Sequence, residues 1–422
     1  MFSSLILIVS FVMASIEKYP TQKNAVVIVV ENLPVPFDRR VWQEAKALRD
    51  AGWIVSVICP MTDQYPQARE TLENIHIFRH RLPLEARGKF GFLIEYAAAL
   101  FYESKLLFQV RREVGFSVIH GCNPPDLIFL AALPWKWFKG ARFVFDHHDV
   151  CPELFEAKFG ENRGKLQNAL LWAVRFAEKL TFKTADLVVS SNETFRQLAL
   201  SRGGKTDANT VSVYSVPDRS KFYRTQPRTD LRNHKRIVIG YMGIINDQDG
   251  VDHVVEMAAH LKHVLKQDDF QCVIVGDGPA LMSVKALSVD LDVTDVVTFT
   301  GYISGEAFLS ALSTFDIGVI PDPLNPYNDK ISMNKVFEYA AMGTPIVAFP
   351  LGETKRLLKD DAVFAGGNDS RSLAEAMLTL MHDDSLRERM GKAAQARAKR
   401  DFNWDVEAQK LVKAYDRFKI PD

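Results

Sequence analysis

The chain has 422 residues, 47% hydrophobic and 25% charged, with 52 basic side chains against 52 acidic ones. That length suggests two domains, each large enough to bury its own core. A zero formal net charge leaves no basic surplus for holding nucleic-acid phosphates, and 23 glycines with 19 prolines exclude collagen-like and largely disordered chains.

Residues 2–16 are almost wholly apolar and end at Glu17-Lys18. The run is shorter than the roughly 20 residues of a spanning helix, no Lys or Arg precedes it, and Met13-Ala14-Ser15 is a poor cleavage site. For residues 1–23 a shallow anchor, a dispensable extension, a signal peptide and a short span stay open. From residue 24 the pattern alternates. Residues 26–30 and 54–59 read as buried strands, with a helix from about Asp38 between them that places Val41, Ala45 and Leu48 on one face and ends at Gly52. The rhythm continues at 117–120, 141–146 and 186–190, which predicts a doubly wound parallel sheet over 24–214. Residues 215–233, with Pro217, Pro227 and several charges, read as a linker. Strands then recur at 237–242, 271–275, 296–300, 317–320 and 346–349, giving a second α/β domain over 234–400. Residues 370–419 read as mostly helical. A last helix within 401–422 starts near Asn403, a plausible N-cap, and is expected to cross back to the first domain.

Four cysteines, Cys59, Cys122, Cys151 and Cys272, stand without any CxxC spacing. This excludes a zinc ribbon and a disulfide scaffold and fits a reducing, cytoplasmic compartment. Gly203-Gly204-Lys205-Thr206 resembles the end of a phosphate-binding loop, but Ala199 stands where the first glycine belongs. Gly276-Asp277-Gly278-Pro279 follows a strand without completing a dinucleotide fingerprint; it is either a tight turn or a place of backbone approach to a ligand. Asp247 and Asp249, like Asp290 and Asp292, form Asp-x-Asp pairs, weak evidence for a divalent ion. In residues 328–348 a polar loop leads into a short helix, a Gly343-Thr344-Pro345 turn and a strand. Backbone N–H groups near Ser332 and Asn334 would seat a diphosphate, and Glu338, one turn further in, could take two ribose hydroxyls; the plain alternative is an ordinary helix cap.

Ser332-Met333-Asn334-Lys335-Val336-Phe337-Glu338-Tyr339 with Gly343-Thr344-Pro345-Ile346-Val347 resembles the donor-site motif of family 4 retaining glycosyltransferases of the GT-B fold. Four further segments resemble a bacterial cell-surface polysaccharide subgroup of that family. They are 36–45, 120–126, 145–153, and Tyr241-Met242-Gly243 with 248–252. The likeness runs over nearly the whole chain from about residue 25. It implies two Rossmann-like domains facing a cleft, and transfer of a sugar from a nucleotide diphosphate sugar with retained anomeric configuration. The second domain would hold the nucleotide and the first a glycan or lipid-linked acceptor. No metal or other cofactor is expected. A nucleotide-sugar epimerase or hydrolase and a donor-binding pseudoenzyme are the alternatives.

The second glutamate of the family's E-x7-E motif falls on Glu338, the expected ribose ligand, and the first on Lys330, a departure. Ile244 and Asp249 stand where many relatives carry an arginine and a lysine, so Lys330, Lys335 and the helix N-terminus are expected to neutralise the diphosphate. Gly243, Gln248 and Gly278 complete the expected donor contacts. His120 ends a strand facing the predicted cleft, where relatives place a histidine on the donor sugar; a satisfied structural histidine is the alternative. Of His147 and His148, one is expected to line the acceptor side and the other to pack, with His147 and Asp149 assigned to the acceptor. Arg39 and Arg40 would clamp an acceptor phosphate or simply be exposed charges. Residues 89–112, aromatic with basic ends, read equally as a lipid-surface helix or a core helix, and Trp135, Lys136, Trp137 and Lys139 as a second interfacial cluster. Peripheral attachment to the inner face of a cell membrane is the corresponding expectation.

Overall fold

The computed structural model describes residues 23–81, 91–160, 164–218 and 221–420, with side chains from residue 98 onward in the helix that begins at Gly91. The apolar segment 1–22, Arg87, Lys89 and Phe90, and the side chains of Phe92, Leu93, Ile94 and Tyr96 lie outside them. The chain divides into two compact units. One runs to Tyr214 and includes Glu407–Asp422; the other is Ser215–Val406.

The first unit is built on eight strands: β1 (Ala25–Val29), β2 (Ile54–Met61), β3 (Arg69–Leu72), β4 (Ile75–Arg81), β5 (Val118–Cys122), β6 (Arg142–His147), β7 (Leu187–Ser190) and β8 (Thr210–Ser212), in the order β3-β4-β2-β1-β5-β6-β7-β8. All neighbours pair in parallel except β3 with β4. Every residue of β1 and β5 is buried, which is why these strands read as continuous apolar runs: helices cover both faces. Helices Gly91–Glu113, Phe129–Lys139 and Lys165–Thr184 share one core through Leu107, Val110, Phe129, Trp135 and Phe182. From residue 98 the first of these is a core helix on one face, with Ala99, Leu107 and Val110 buried and Phe101 exposed. Trp135 is 2% exposed and packs on Phe108 and Phe116, so of the proposed interfacial tryptophans only Trp137 reaches solvent. No helix among the described residues is long and apolar enough to cross a membrane.

The second unit has six parallel strands, β9 (Ile237–Met242), β10 (Phe270–Val275), β11 (Val297–Gly301), β12 (Ile317–Ile320), β13 (Ile346–Ala348) and β14 (Ala362–Phe364), ordered β11-β10-β9-β12-β13-β14. Residues read as a linker are fastened to this unit. Arg224 donates to the carbonyls of Met342 and Ser313, and Arg232 pairs with Asp316 at 2.8 Å. Helices Ser370–Met381 and Asp384–Arg400 follow. The last helix, Trp404–Tyr415, starts at Asn403, whose Oδ1 accepts the Asp405 N–H, and its Glu407 carboxylate accepts the Tyr214 N–H at 2.9 Å.

Candidate functional site

Among the parallel strands of each sheet the order reverses once, between β9 and β12 in the second unit and between β1 and β5 in the first. Ligands of open parallel sheets bind outside the carboxyl ends of the strands at such reversals.

At the β9/β12 reversal the loops after β9 and β10 clasp each other backbone to backbone. Ile245 N–H donates to the Asp277 carbonyl at 3.0 Å and Ala280 N–H to that of Ile245 at 2.9 Å. The glycines of Gly276-Asp277-Gly278 are required by this clasp. A Cβ on Gly276, at φ +146°, would lie 1.8 Å from the Gly243 oxygen, and one on Gly278 2.4 Å from that of Ile245. Gly278 therefore makes room for the neighbouring loop. Gly243 is exposed, Ile244 is 65% exposed, and Asp249 caps its own turn by accepting the Asn246 N–H at 3.0 Å. The exposed Gln248 is held by its carbonyl, which accepts Asn328 Nδ2–H at 3.2 Å.

The helix Asn334–Met342 is pinned over the same reversal. Tyr339 Oη donates to the Gly240 carbonyl of β9 at 2.9 Å, and the ring packs where Gly318 of β12 has no side chain. This helix starts after Met333, which makes no side-chain hydrogen bond to its first turn, while the Val336 N–H donates to the Met333 carbonyl at 3.0 Å. By contrast, the next helix, Gly352–Leu358, has its Gly352 N–H taken by Asp329 at 2.7 Å. Asn334 is exposed; Ser332 and Glu338 are half-buried, with Ser332 Oγ 3.4 Å from Glu353.

The two lysines have different surroundings. Lys335 is buried, its Nζ 2.6 Å from Asp322 and 4.9 Å from the centre of the Tyr241 ring. Burial raises the Asp322 pKa against the opposing pull of Lys335. Lys335 therefore staples the end of β12 to the end of β9, with its charge matched by Asp322. Lys330 Nζ donates to the Pro326 carbonyl at 2.7 Å.

In the first unit, a buried ion cluster lies beneath the carboxyl ends of β5 and β6. Arg40 Nη2 is 2.8 Å from Asp146 and 3.0 Å from Glu44, and Nη1 donates to the Val213 carbonyl at 2.6 Å. His120 Nε2 faces Asp146 at 3.2 Å and Glu44 at 3.5 Å, while Nδ1 meets the Tyr415 hydroxyl. Burial works against the Arg40 charge, yet Asp146 and then Glu44 raise its pKa. Against burial, Arg40 and His148 hold Asp146 well below the usual carboxylate range. Burial, opposed by Arg40, pushes Glu44 well above it and also depresses His120. The cluster thus sets the Arg40 guanidinium against the Asp146 carboxylate, with burial favouring the neutral forms of Glu44 and His120.

Three residues expected to face a substrate are buried in this geometry. Arg40 is 6% exposed and bound internally, so it is no surface clamp for a phosphate; Arg39 beside it is half-buried. His120 is fully buried beneath Tyr415 and presents no face to a sugar. His147 is packed among Phe145, Phe182 and Phe195, neither ring nitrogen is hydrogen-bonded, and burial lowers its pKa to about 3. The histidine left at the surface is His148, half-buried, with Nε2 on Asp146 Oδ2. Its backbone N–H and that of Asp149 both donate to Asn123 Oδ1, at 2.6 and 3.1 Å. The half-buried Asp149 carboxylate accepts the Val150 N–H. Alternation along the strand would have separated these residues: Asp146 and His148 share one side, His147 takes the other. Glu44, Asp146 and His148 bring ligand atoms within 4.8 Å of one another, as do His120, Cys122 and Asp146. Arg40 already supplies the positive charge a cation would bring there.

Residues 223–397 match the family model of glycosyl transferases group 1, and residues 38–214 that of the glycosyl transferase 4-like domain. The alpha-D-kanosaminyltransferase of Streptomyces kanamyceticus is 30% identical over 189 residues, 43% of this chain and 47% of its own, so the match spans about half the length of that relative. Among solved structures, sucrose-phosphate synthase from Thermosynechococcus elongatus superposes with a TM-score of 0.72 at 17% identity, covering 94% of this chain and 99% of that one. HepE of Anabaena in complex with UDP gives 0.68 at 14% identity over 93% and 100%. Both share its fold, two Rossmann-like units of the GT-B type. With one family model on each unit, the chain belongs to the group 1 and 4-like glycosyltransferases.

Proposed function

We propose that the protein transfers a sugar from a nucleoside-diphosphate sugar to a hydroxyl of a glycan or lipid-linked acceptor, with retention of the anomeric configuration. The observation that carries this reading is the uncapped N-terminus of helix Asn334–Met342, held over the β9/β12 reversal with Glu338 one turn in. Its N–H groups and positive dipole end suit a diphosphate, and Glu338 suits a ribose. HepE, a protein of the same fold, was solved in complex with UDP, which supports a nucleotide as ligand. In this reading the helix N-terminus stabilises charge on the departing diphosphate, which assists removal of the acceptor proton during front-side attack. His148, oriented by Asp146, is assigned to the acceptor hydroxyl in place of His147.

Calorimetry with a panel of nucleoside diphosphates tests the donor half. Glu338→Ala is expected to weaken the nucleotide that binds by about 1.5–3 kcal/mol. Unchanged affinity removes Glu338 from the site. A donor-binding protein without turnover is the second reading, favoured by Ile244 and Asp249 in the usual cationic places and by the pairing of Lys335 with Asp322. Product analysis separates the two: transfer needs acceptor and yields a retained linkage, whereas binding alone leaves the donor intact. Turnover is expected to survive EDTA; loss on chelation and recovery with magnesium would instead assign the diphosphate charge to a metal ion.

A further inference from the structure

Helix Lys165–Thr184 has two apolar faces. One packs inward through Leu171, Thr181 and Phe182. The other points to solvent: Leu166, Ala169, Leu170, Ala173 and Phe176 recur at three- and four-residue spacing, and all are exposed. Trp172 lies beside them, its ring stacked on Phe176 at 5.2 Å. Leu166 is 68% exposed and Trp172 65%, the reverse of what a surface helix of a globular unit presents. Phe159, at the end of the adjoining helix Cys151–Phe159, is exposed as well.

Charge on this hairpin is sorted by face. Lys165, Arg175, Lys179 and Lys183 are exposed. The described carboxylates turn away from solvent or are matched: Glu153 and Glu178 pair with Arg202, and Glu156 with Arg175. The outward surface is thus apolar, aromatic and basic, on a chain whose total charge is zero. We infer that this helix docks on an anionic lipid bilayer, with Trp172, Phe176, Leu166 and Leu170 entering the interface and the lysines meeting the headgroups. An aromatic and aliphatic stripe with a basic margin is the pattern that binds such surfaces, and the sorting of carboxylates supplies the charge complementarity. The inference is independent of the donor site and is tested without nucleotide or acceptor.

The full chain is sedimented with vesicles of phosphatidylcholine alone and of phosphatidylcholine with phosphatidylglycerol. Binding is expected to the second and to be much weaker to the first. Replacing Trp172 and Phe176 together by serine should lower partitioning by about 10–100-fold, and Lys165→Glu with Lys179→Glu by about tenfold or more. Both pairs are solvent-exposed, so melting temperature should hold, which separates lost docking from lost folding. Indifference of the natural chain to anionic vesicles overturns the inference. So does unchanged binding of the serine variant, which would move attachment elsewhere on the chain. A lipid-free dimer that the serine variant dissociates would also overturn it, making the occupant a second copy.

Discussion

Arg40→Ala tests most directly whether the first unit is organised around a buried charge. In the folded chain the guanidinium neutralises Asp146 at 2.8 Å, contacts Glu44 at 3.0 Å and donates to the Val213 carbonyl at 2.6 Å. Truncation leaves a fully buried Asp146 without its guanidinium, among His120, His148, Glu44 and the Cys122 thiol, and a carbonyl without that donor. Removing one member of a buried ion pair costs about 3–5 kcal/mol. Glu44 limits the loss: burial already pushes its pKa up and Arg40 is the main pull against it, so without Arg40 it takes up a proton more readily. The expected drop is therefore about 3–5 kcal/mol by guanidinium denaturation at neutral pH. Arg39→Ala, one residue earlier and half-buried, should stay within about 1 kcal/mol. Arg40→Lys keeps the charge but not the planar fork and should fall between. A stable Arg40→Ala protein that loses only acceptor turnover would refute the structural role and return Arg40 to substrate.

Two histidine variants divide the remaining roles at the end of β6. His147→Phe should stabilise the protein by about 1–3 kcal/mol at pH 7, because it replaces an unbonded buried imidazole in a phenylalanine cluster. Its pH signature follows from a folded pKa of about 3 against 6.5 unfolded: the natural chain loses stability as pH falls below about 6.5, because the unfolded state takes up the proton first. The phenylalanine variant should lack that loss, about 1.4 kcal/mol per pH unit, in denaturation measured from pH 7 to pH 4; identical pH slopes for the two proteins would mean that His147 is not held neutral. His148→Ala should lower kcat/KM for acceptor by about 10²–10⁴-fold and leave nucleotide affinity unchanged, whereas an equal loss of both would assign it to general integrity.

Much of the architecture was legible because parallel strands buried on both faces are short β-branched runs: β1, β9 and β12 stand out without help from context. β4 did not, because Arg79 and His80 interrupt its apolar pattern and are buried only by tertiary contacts. Arg79 donates to the Val35 carbonyl and to Glu70. The preceding turn held a usable sign, since Glu73 and Asn74 both take positive φ in a tight hairpin. The donor motif could be placed on its helix from sequence because caps, helix and turn are local. The charge pairings could not. Asp146 lies 106 residues from Arg40, and Asp322 13 residues from Lys335. Whether a lysine is a phosphate ligand or half of a buried pair depends on which strand end the fold brings beneath it.

Lys335 is where that distinction has a measurable consequence. As a cation on the diphosphate, its loss would slow turnover and leave the fold intact. Its surroundings give it a different role. The ammonium lies 2.6 Å from Asp322 and over the Tyr241 ring, joining the two strand ends on either side of the reversal. A positioning role of this kind makes Lys335 and Asp322 thermodynamically coupled. Lys335→Met alone strands a buried carboxylate and should cost about 3–5 kcal/mol of stability, less whatever protonation of Asp322 recovers. Adding Asp322→Asn removes the stranded charge, so the double variant should be more stable than Lys335→Met, with a coupling of about 0.5–3 kcal/mol across the cycle. The double variant should also recover nucleotide binding, because the loop over β9 and β12 regains its support without any cation at that point. Additive stability losses, together with a Lys335→Met protein that folds normally, binds nucleotide and fails only in turnover, would show that the lysine leaves Asp322 to meet the diphosphate.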